Sequence, residues 1–148
     1  MSNPKEEALL ALAAKGEVEQ ELANLSLYPP SRHAAYAAVV ATLVGTPVLP
    51  QPIRFVALAL IYISIYLIVQ WDKRRLGLFI SGVRRGKTLM VTLPMFAFVL
   101  GLYLASYFLS LSHGKHGIIL ALAAIAFIMS YLGSTLWQRI FVSELSAR

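Results

Sequence analysis

Hydrophobic residues form four long runs between Ala34 and Trp137, separated by short segments that hold prolines or charges. The runs cover about residues 34–49, 53–71, 89–111 and 117–137. A helix needs about 20 apolar residues to cross a hydrocarbon core of about 30 Å. The last two runs meet this requirement without a single charged side chain. The pattern therefore predicts an all-α integral membrane protein with about four transmembrane helices, arranged as two hairpins.

The connection between the first two runs leaves a second topology open. It is the short, apolar and proline-rich segment from Thr46 to Pro52, and the run before it is only 16 residues long (34 to 49). Proline ends a helix because it lacks the backbone N–H group and its ring clashes with the preceding turn. The alternative is a re-entrant hairpin, in which these two runs enter and leave on one side of the bilayer.

The first thirty residues have a different character and predict a cytoplasmic amphipathic helical segment, followed by the transmembrane domain over 31–148. Pro4 suits a first helical position, and Gly16 after Lys15 is a typical helix end. We therefore expect two short helices between Ser2 and Leu25, which end before the paired prolines Pro29 and Pro30.

The distribution of Lys and Arg predicts the orientation. With the N-terminus in the cytoplasm, eleven cations lie on the cytoplasmic side: Lys5, Lys15, Arg32, Lys73, Arg74, Arg75, Arg84, Arg85, Lys87, Arg139 and Arg148. Only Arg54 and Lys115 lie on the outer side. Because loops rich in Lys and Arg stay in the cytoplasm, both termini are expected there. The chain is assigned to the cytoplasmic (inner) membrane.

Composition agrees with this assignment. The chain is 58% hydrophobic and 14% charged, with a mean hydropathy of +0.69, whereas soluble domains are about 45–50% apolar and about 25% charged. The net charge of +6 is explained by the cytoplasmic loops, so no nucleic-acid partner is predicted. Cysteine is absent, which excludes disulfides, thiolate metal sites and cysteine nucleophiles.

Small residues recur at every fourth position in three of the four runs. On a helix this spacing gives a stripe along which two backbones can approach closely, which favours helix association in lipid. The three stripes are Ala37, Ala41 and Gly45; Ala97, Gly101 and Ala105; and Ala126, Ser130 and Ser134. We expect them to pack within the bundle rather than against a second copy, although an oligomer stays open.

The segment 72–88 is a long basic loop between the second and third runs. Its cations flank an apolar, glycine-containing centre and are Lys73, Arg74, Arg75, Arg84, Arg85 and Lys87. Such a cluster beside a membrane span can bind anionic lipid headgroups, at about 1 kcal/mol per cation. We expect an interfacial loop or a short β-like excursion here. The alternative is that these charges only determine the topology.

Several motifs with chemical potential are better explained in simpler ways. The run from Gly82 to Thr88 has three residues between its glycines, whereas a phosphate-binding P-loop has four and follows a strand. His113 and His116 flank Lys115 in the predicted outer loop, with no carboxylate nearby. They are interpreted as solvated histidines rather than metal ligands. No cofactor and no metal are predicted.

The four runs contain no Asp or Glu; Asp72 lies just beyond the second. Proton-coupled transport usually depends on an ionisable residue within the membrane, and small multidrug transporters of similar length depend on an acidic one. That identification is therefore rejected. The hydroxyls within the runs also have no base nearby in sequence, so the chain is not expected to be an enzyme.

The favoured function is that of a non-enzymatic accessory, regulatory or scaffold subunit. Its basic loop would contact anionic lipid or an acidic protein surface. Its N-terminal helices would contact a partner through Leu9, Leu12, Val18, Leu22 and Leu25. The alternative is a small oligomeric channel or facilitator, whose polar path would use Tyr62, Ser64, Tyr103, Ser106 and Ser130. A lipid-binding protein is a third hypothesis.

Overall fold

The computed structural model describes residues 3–25, 27–76, 87–111 and 116–146. Within these ranges the chain is helical and contains no strand. The elements are α1 (Pro4–Leu25), α2 (Pro30–Gly45), the 3-10 turn Thr46–Val48, α3 (Gln51–Leu76), α4 (Leu89–Ser110) and α5 (His116–Ser146). The predicted all-helical class is therefore confirmed.

Three helices are long and apolar enough to cross a membrane. They are Gln51–Arg75, Leu89–Ser110 and His116–Glu144, and they correspond to the predicted second, third and fourth spans. Few of their residues are buried inside the bundle, at most 17% of the most apolar window of each helix. The predicted first span corresponds to α2, which has 16 residues and is not one of these three.

The N-terminal segment forms one helix, where the sequence predicted two. Gly16 lies inside α1, and a Cβ atom at this position would meet nothing within 4 Å. A glycine inside a helix costs about 1 kcal/mol relative to alanine. The flanking Ala, Leu, Glu and Lys residues are strong helix formers, and helix propagation is cooperative, so the helix continues through the expected stop. α1 contacts α5.

The short helix α2 is the centre of the bundle. It contacts α3, α4 and α5, and its contact with α5 is the most extensive. Val40, Val44 and Ala126 form the buried core, and the partly buried residues packed against them are Val99, Leu102, Tyr103 and Leu122. The backbones approach closely near the end of α2, where a Cβ on Gly45 would lie 3.7 Å from that of Ala123.

Polar contacts define how the helices run relative to one another. The start of α2 meets the end of α3 through Arg32 and Asp72, and it meets α5 through His33 and Ser134. α2 therefore runs antiparallel to both. The backbone N–H of Lys87, just before α4, donates to Glu144 near the end of α5 at 2.6 Å. The starts of α2 and α4 and the ends of α3 and α5 thus share one end of the bundle.

At the opposite end, side chains satisfy the backbone where α2 stops. The Ser106 hydroxyl of α4 donates to the carbonyl of Val44 at 2.7 Å. The Nη2 atom of Arg54 donates to the carbonyls of Pro47 and Leu49, at 2.8 and 3.1 Å. A carbonyl group without a hydrogen-bond donor is destabilising in an apolar environment. Arg54 therefore completes the proline-rich turn as well as carrying a charge.

The predicted basic loop is shorter than expected at its start, whereas α4 begins directly after its predicted end at residue 88. Residues 72–76 belong to α3, and α4 begins at Leu89. Residues 77–86 lie outside the described part of the chain, and with them the predicted β-like excursion and most of the glycine-containing motif. His113 also lies outside it, whereas His116 is the first residue of α5. α5 continues to Ser146, beyond the predicted limit of 137.

Candidate functional site at one end of the bundle

The most polar contact between helices is a buried ion pair between α2 and α3. Arg32 Nε donates to Asp72 Oδ1 at 3.0 Å, and Arg32 Nη2 donates to Asp72 Oδ2 at 2.6 Å. The Asp72 side chain is 4% exposed and that of Arg32 is 19% exposed. Two parallel charge-assisted bonds fix both distance and orientation. This ion pair therefore ties the start of α2 to the end of α3.

Tyr28 packs against the cation of this ion pair. The Arg32 guanidinium lies 3.6 Å from the centre of the Tyr28 ring, an arrangement that the ring quadrupole favours. Burial raises the pKa of the Tyr28 hydroxyl, with a further increase from Asp72 that the guanidinium of Arg32 opposes. The Tyr28 hydroxyl therefore stays protonated, and an uncharged ring packs against the ion pair.

His33 makes a second polar contact, between α2 and α5. Its Nδ1 atom lies 2.7 Å from Ser134 Oγ and its Nε2 atom 2.6 Å from Gln138 Oε1. The neutral tautomer with a proton on Nε2 satisfies both, by donating to Gln138 and accepting from Ser134. The ring is buried. Burial lowers its pKa, which Arg32 lowers further and the Gln138 hydrogen bond partly restores.

The hydrogen-bond distances among Ser134, His33 and Gln138 are those expected of a nucleophile, a base and a group that orients the base. Acyl transfer also needs space for a substrate beside the nucleophile and donors for an oxyanion. Here the imidazole is 4% exposed, and both its nitrogens are engaged with α5. The contact is thus suited to hold α2 against α5. Among the described residues, no three His, Asp or Glu side chains form a group that could hold a metal.

The basic residues predicted to contact lipid have different surroundings. Lys73 and Arg74 are exposed on the last turn of α3. Arg75 is also exposed; it donates to the carbonyl of Leu27 at 3.2 Å and lies 5.7 Å from the ring centre of Trp71. Lys87 is exposed, whereas 84 and 85 are outside the described residues. Three of the six predicted cations, Lys73 to Arg75, therefore share one helix turn.

The three stripes of small residues are placed in two ways. In the α2 stripe, Ala37 is fully buried, while Ala41 and Gly45 are half-buried. In the α5 stripe, Ala126 and Ser130 are buried and Ser134 is half-buried. These two stripes lie where α2 and α5 meet. In α4, Ala97, Gly101 and Ala105 are exposed, and a Cβ on Gly101 would meet nothing within 4 Å. α4 approaches α5 at Gly133 instead, where a Cβ would lie 2.9 Å from Met95 Sδ.

Three of the five residues proposed for a partner surface lie on the outside. Leu9, Leu12 and Val18 of α1 are each more than 60% exposed. The side chains of 22 and 25 lie outside the described part of the chain. These three apolar residues are available for a contact beyond the bundle.

The residues proposed for a polar path do not share a surface. Ser106 and Ser130 are buried between helices, and Tyr103 packs against the core. Tyr62 is 76% exposed on the outside of α3, and the Ser64 hydroxyl donates to the carbonyl of Leu60 in its own helix. The five side chains therefore line no common route through the described bundle.

Sequence reasoning did not find the Arg32–Asp72 pair or the His33 contact. The signal for the first was the isolation of Asp72, which is the only acidic residue between Glu21 and Glu144. A single carboxylate beside long apolar runs requires a cationic partner. Nothing in the sequence singled out Ser134 or Gln138 as partners of His33, because helix packing alone brings them together.

Comparisons with known proteins leave the function to be argued from these contacts. No protein family model, no curated protein and no solved structure matches the chain.

Proposed function

We propose that this chain is a non-enzymatic accessory or scaffold protein of the cytoplasmic membrane that binds anionic lipid headgroups. The observation that carries the proposal is the end of α3. There the Arg32–Asp72 pair and the Arg75–Leu27 contact fix the last turn. Lys73 and Arg74 remain exposed together on this turn, where the apolar surface of α3 ends.

A membrane environment is supported by the outer surfaces of α3, α4 and α5. Large apolar side chains are exposed along all three, among them Phe55 at 65%, Phe96 at 68% and Leu120 at 62%. Soluble monomers rarely expose continuous apolar patches larger than a few hundred Å². Lipid is the solvent that makes such surfaces favourable.

We propose four crossings, with α2 as the first. From Ala34, α2 and the following 3-10 turn extend about 24 Å at 1.5 and 2.0 Å per residue, less than the hydrocarbon thickness of about 30 Å. α2 is enclosed by α3, α4 and α5, so lipid need not match its length, and irregular backbone is tolerated where protein surrounds it. The Arg54 contacts with Pro47 and Leu49 supply the hydrogen bonds that this requires.

The bias of eleven cations against two then supports placing both termini and the Arg32–Asp72 pair on the cytoplasmic side. That leaflet carries the anionic lipids, and each nearby cation contributes about 1 kcal/mol to their binding. Two polar contacts on this side join helices to one another. They are Arg32 with Asp72 and His33 with Ser134. This use of polar chemistry supports a structural rather than a catalytic role.

The test is lipid retention by a charge-reversed variant. At about 1 kcal/mol per cation, the double substitution Lys73→Glu and Arg74→Glu should weaken binding of phosphatidylglycerol about 30-fold or more. Its matched control is Lys5→Glu with Arg139→Glu, which changes the net charge equally at two other exposed positions. Lipid that copurifies in mild detergent would be counted by native mass spectrometry, with phosphatidylcholine as the neutral reference lipid.

The proposal would be abandoned if both double variants retained as much phosphatidylglycerol as the unchanged protein, or lost it equally. Flotation of each variant with vesicles checks that it still inserts into a bilayer. Release of the unchanged chain from vesicles by alkaline carbonate would contradict the membrane assignment itself.

A further inference from the structure

We propose that α3 is the interface of a homodimer, in which the outward face of α3 packs against the same face of a second copy. This outward face is defined by Ala59, Tyr62, Ile63, Tyr66 and Gln70. The inference rests on the proposed function, because it takes α3 to cross a lipid bilayer. It adds a partner, a second copy of this chain, and a surface that the partner covers.

Among the three long apolar helices, α3 contacts the fewest elements of the described bundle. It contacts α2 and the 3-10 turn, and it buries only Ile61 and Asp72 among its described side chains. These two residues are eleven positions apart, or about three turns at 3.6 residues per turn, so they lie on one side of the helix. The outward face lies on the opposite side, and within the described part of the chain four of its five residues are exposed, while Gln70 is half-buried.

The chemistry of this face separates it from a surface made for lipid. Tyr62 is 76% and Tyr66 57% exposed. Tyr66 accepts a hydrogen bond from Gln70 Nε2 at 3.0 Å, and within the described residues the hydroxyl of Tyr62 has no hydrogen-bond partner. Hydrocarbon offers a hydroxyl group no partner.

Tyr62 lies too deep in the proposed bilayer for its hydroxyl to find a hydrogen-bond partner in water. Tyr62 lies eleven residues after Gln51 and thirteen before Arg75, the ends of the apolar segment. At 1.5 Å per residue these intervals are about 16 and about 20 Å, so the ring lies close to the middle of the bilayer. A tyrosine side chain is much shorter than either interval, and its hydroxyl does not reach water.

The exposed faces of α4 and α5 provide the comparison. Between Leu93 and Leu104 of α4, and between Ile118 and Leu136 of α5, every exposed residue is apolar. These faces suit lipid. Among the three long helices, exposed polar side chains at middle depth occur on α3 within the described residues.

A second copy in the same membrane orientation satisfies the hydroxyl directly. In a two-fold dimer the same patch of each subunit faces the other, and an axis along the membrane normal brings each residue opposite itself at equal depth. A tyrosine hydroxyl both donates and accepts, so Tyr62 can pair with Tyr62 of the second copy. Ala59, one turn away, allows close approach of the two backbones.

The same arrangement concentrates charge at the cytoplasmic end. Lys73 and Arg74 follow the outward face at the end of α3, so two copies bring four of these cations together. Like charges oppose each other there, and anionic headgroups between them would relieve the repulsion. The dimer is therefore expected to form more readily in vesicles that contain phosphatidylglycerol than in pure phosphatidylcholine.

Disulfide cross-linking tests the interface, because the chain contains no cysteine. Ala59→Cys places a thiol on the outward face, and Ala124→Cys is its matched control. Both positions are exposed alanines eight residues after the start of their apolar helices, α3 and α5. A disulfide forms only when the two Cα atoms come within about 7 Å. We expect oxidation in dilute proteoliposomes to convert most of the Ala59→Cys protein to dimer and little of the Ala124→Cys protein.

Removal of one hydroxyl then tests the proposed hydrogen bond. Hydrogen bonds between membrane helices contribute about 0.6 kcal/mol on average, so Tyr62→Phe should raise the dimer dissociation constant about threefold. Tyr107→Phe is the control, since Tyr107 is exposed near the end of α4. The constants would be measured by energy transfer between labelled copies at increasing lipid dilution.

Equal cross-linking at Ala59 and Ala124 would indicate random collision and overturn the proposal, as would a protein that stays monomeric at every dilution. Alkaline carbonate extraction of the same proteoliposomes reports whether the chain is inserted at all. A monomer that resists extraction contradicts the dimer alone, whereas an extracted chain contradicts the proposed membrane function.

Discussion

Breaking the Arg32–Asp72 ion pair is expected to destabilise the bundle. The loss of stability should be larger for the variant that leaves the more deeply buried charge unpaired. Arg32→Met leaves the carboxylate of Asp72, 4% exposed, without its cation. Asp72→Asn leaves the guanidinium of Arg32 without its anion. This side chain is 19% exposed, and it can still donate a hydrogen bond to the amide oxygen of the new asparagine. An unpaired buried charge costs about 3–5 kcal/mol. We expect about that loss for Arg32→Met and about 2 kcal/mol for Asp72→Asn.

The double variant Arg32→Met with Asp72→Leu is the sharper test. Replacing a buried ion pair by apolar residues of similar size is often neutral or stabilising, because neither charge then has to leave water. We therefore expect the double variant to be more stable than either single variant. The contact with Tyr28 loses its cation in this variant, which sets a cost of about 1 kcal/mol.

The assay is the free energy of unfolding in mixed micelles, obtained by titration with dodecyl sulfate and followed by circular dichroism. Glu17→Gln is the control, an exposed carboxylate of α1, and it should change this free energy by less than about 0.5 kcal/mol. The reasoning is wrong if the single variants match the control, or if the double variant is no more stable than Arg32→Met alone.

Two further predictions concern pH and helix contact. Because burial lowers the pKa of His33 below its ordinary value of 6.5, the unfolded chain takes up the proton first as the pH falls. The free energy of unfolding should therefore decrease below about pH 6.5, and His33→Asn should flatten this dependence between pH 7.5 and 5; an equal slope in both proteins would contradict it. Gly101→Ala should stabilise α4 by about 0.5–1 kcal/mol, since nothing lies within 4 Å of the new Cβ. Gly133→Ala should gain less, because a flexible methionine side chain 2.9 Å away must move; equal unfolding free energies in micelles would show that this contact is not close.

Much of the fold could be predicted because long apolar runs have few structural alternatives to a helix. Every backbone group in hydrocarbon needs an internal hydrogen bond, so the long uncharged run 89–111 predicts a helix, and α4 continues through Pro94. α1 was predicted less well for the opposite reason. At Gly16 the stop signal competes with neighbouring helix formers, and small differences in propensity decide the result.

The polar contacts could not be predicted from spacing. Arg32 and Asp72 are 40 residues apart, and His33 and Gln138 are 105 apart. Their partnership exists only after α2 has packed between α3 and α5. In the sequence, Arg32 is equally consistent with a cation that only sets topology. A count of charges gives the orientation of a membrane protein but not which charge is buried.

The position of the polar contacts suggests what they do for the bundle. Its core consists of small and aliphatic side chains such as Val40, Val44 and Ala126, and such a surface packs in several registers at similar free energy. Sliding α2 by one turn, about 5.4 Å, would break the Arg32–Asp72 pair at one end and the Ser106–Val44 bond at the other. Single polar contacts are known to fix register between helices in some proteins. We infer that in this chain the apolar core supplies the attraction, and the polar contacts at the two ends of α2 select one register.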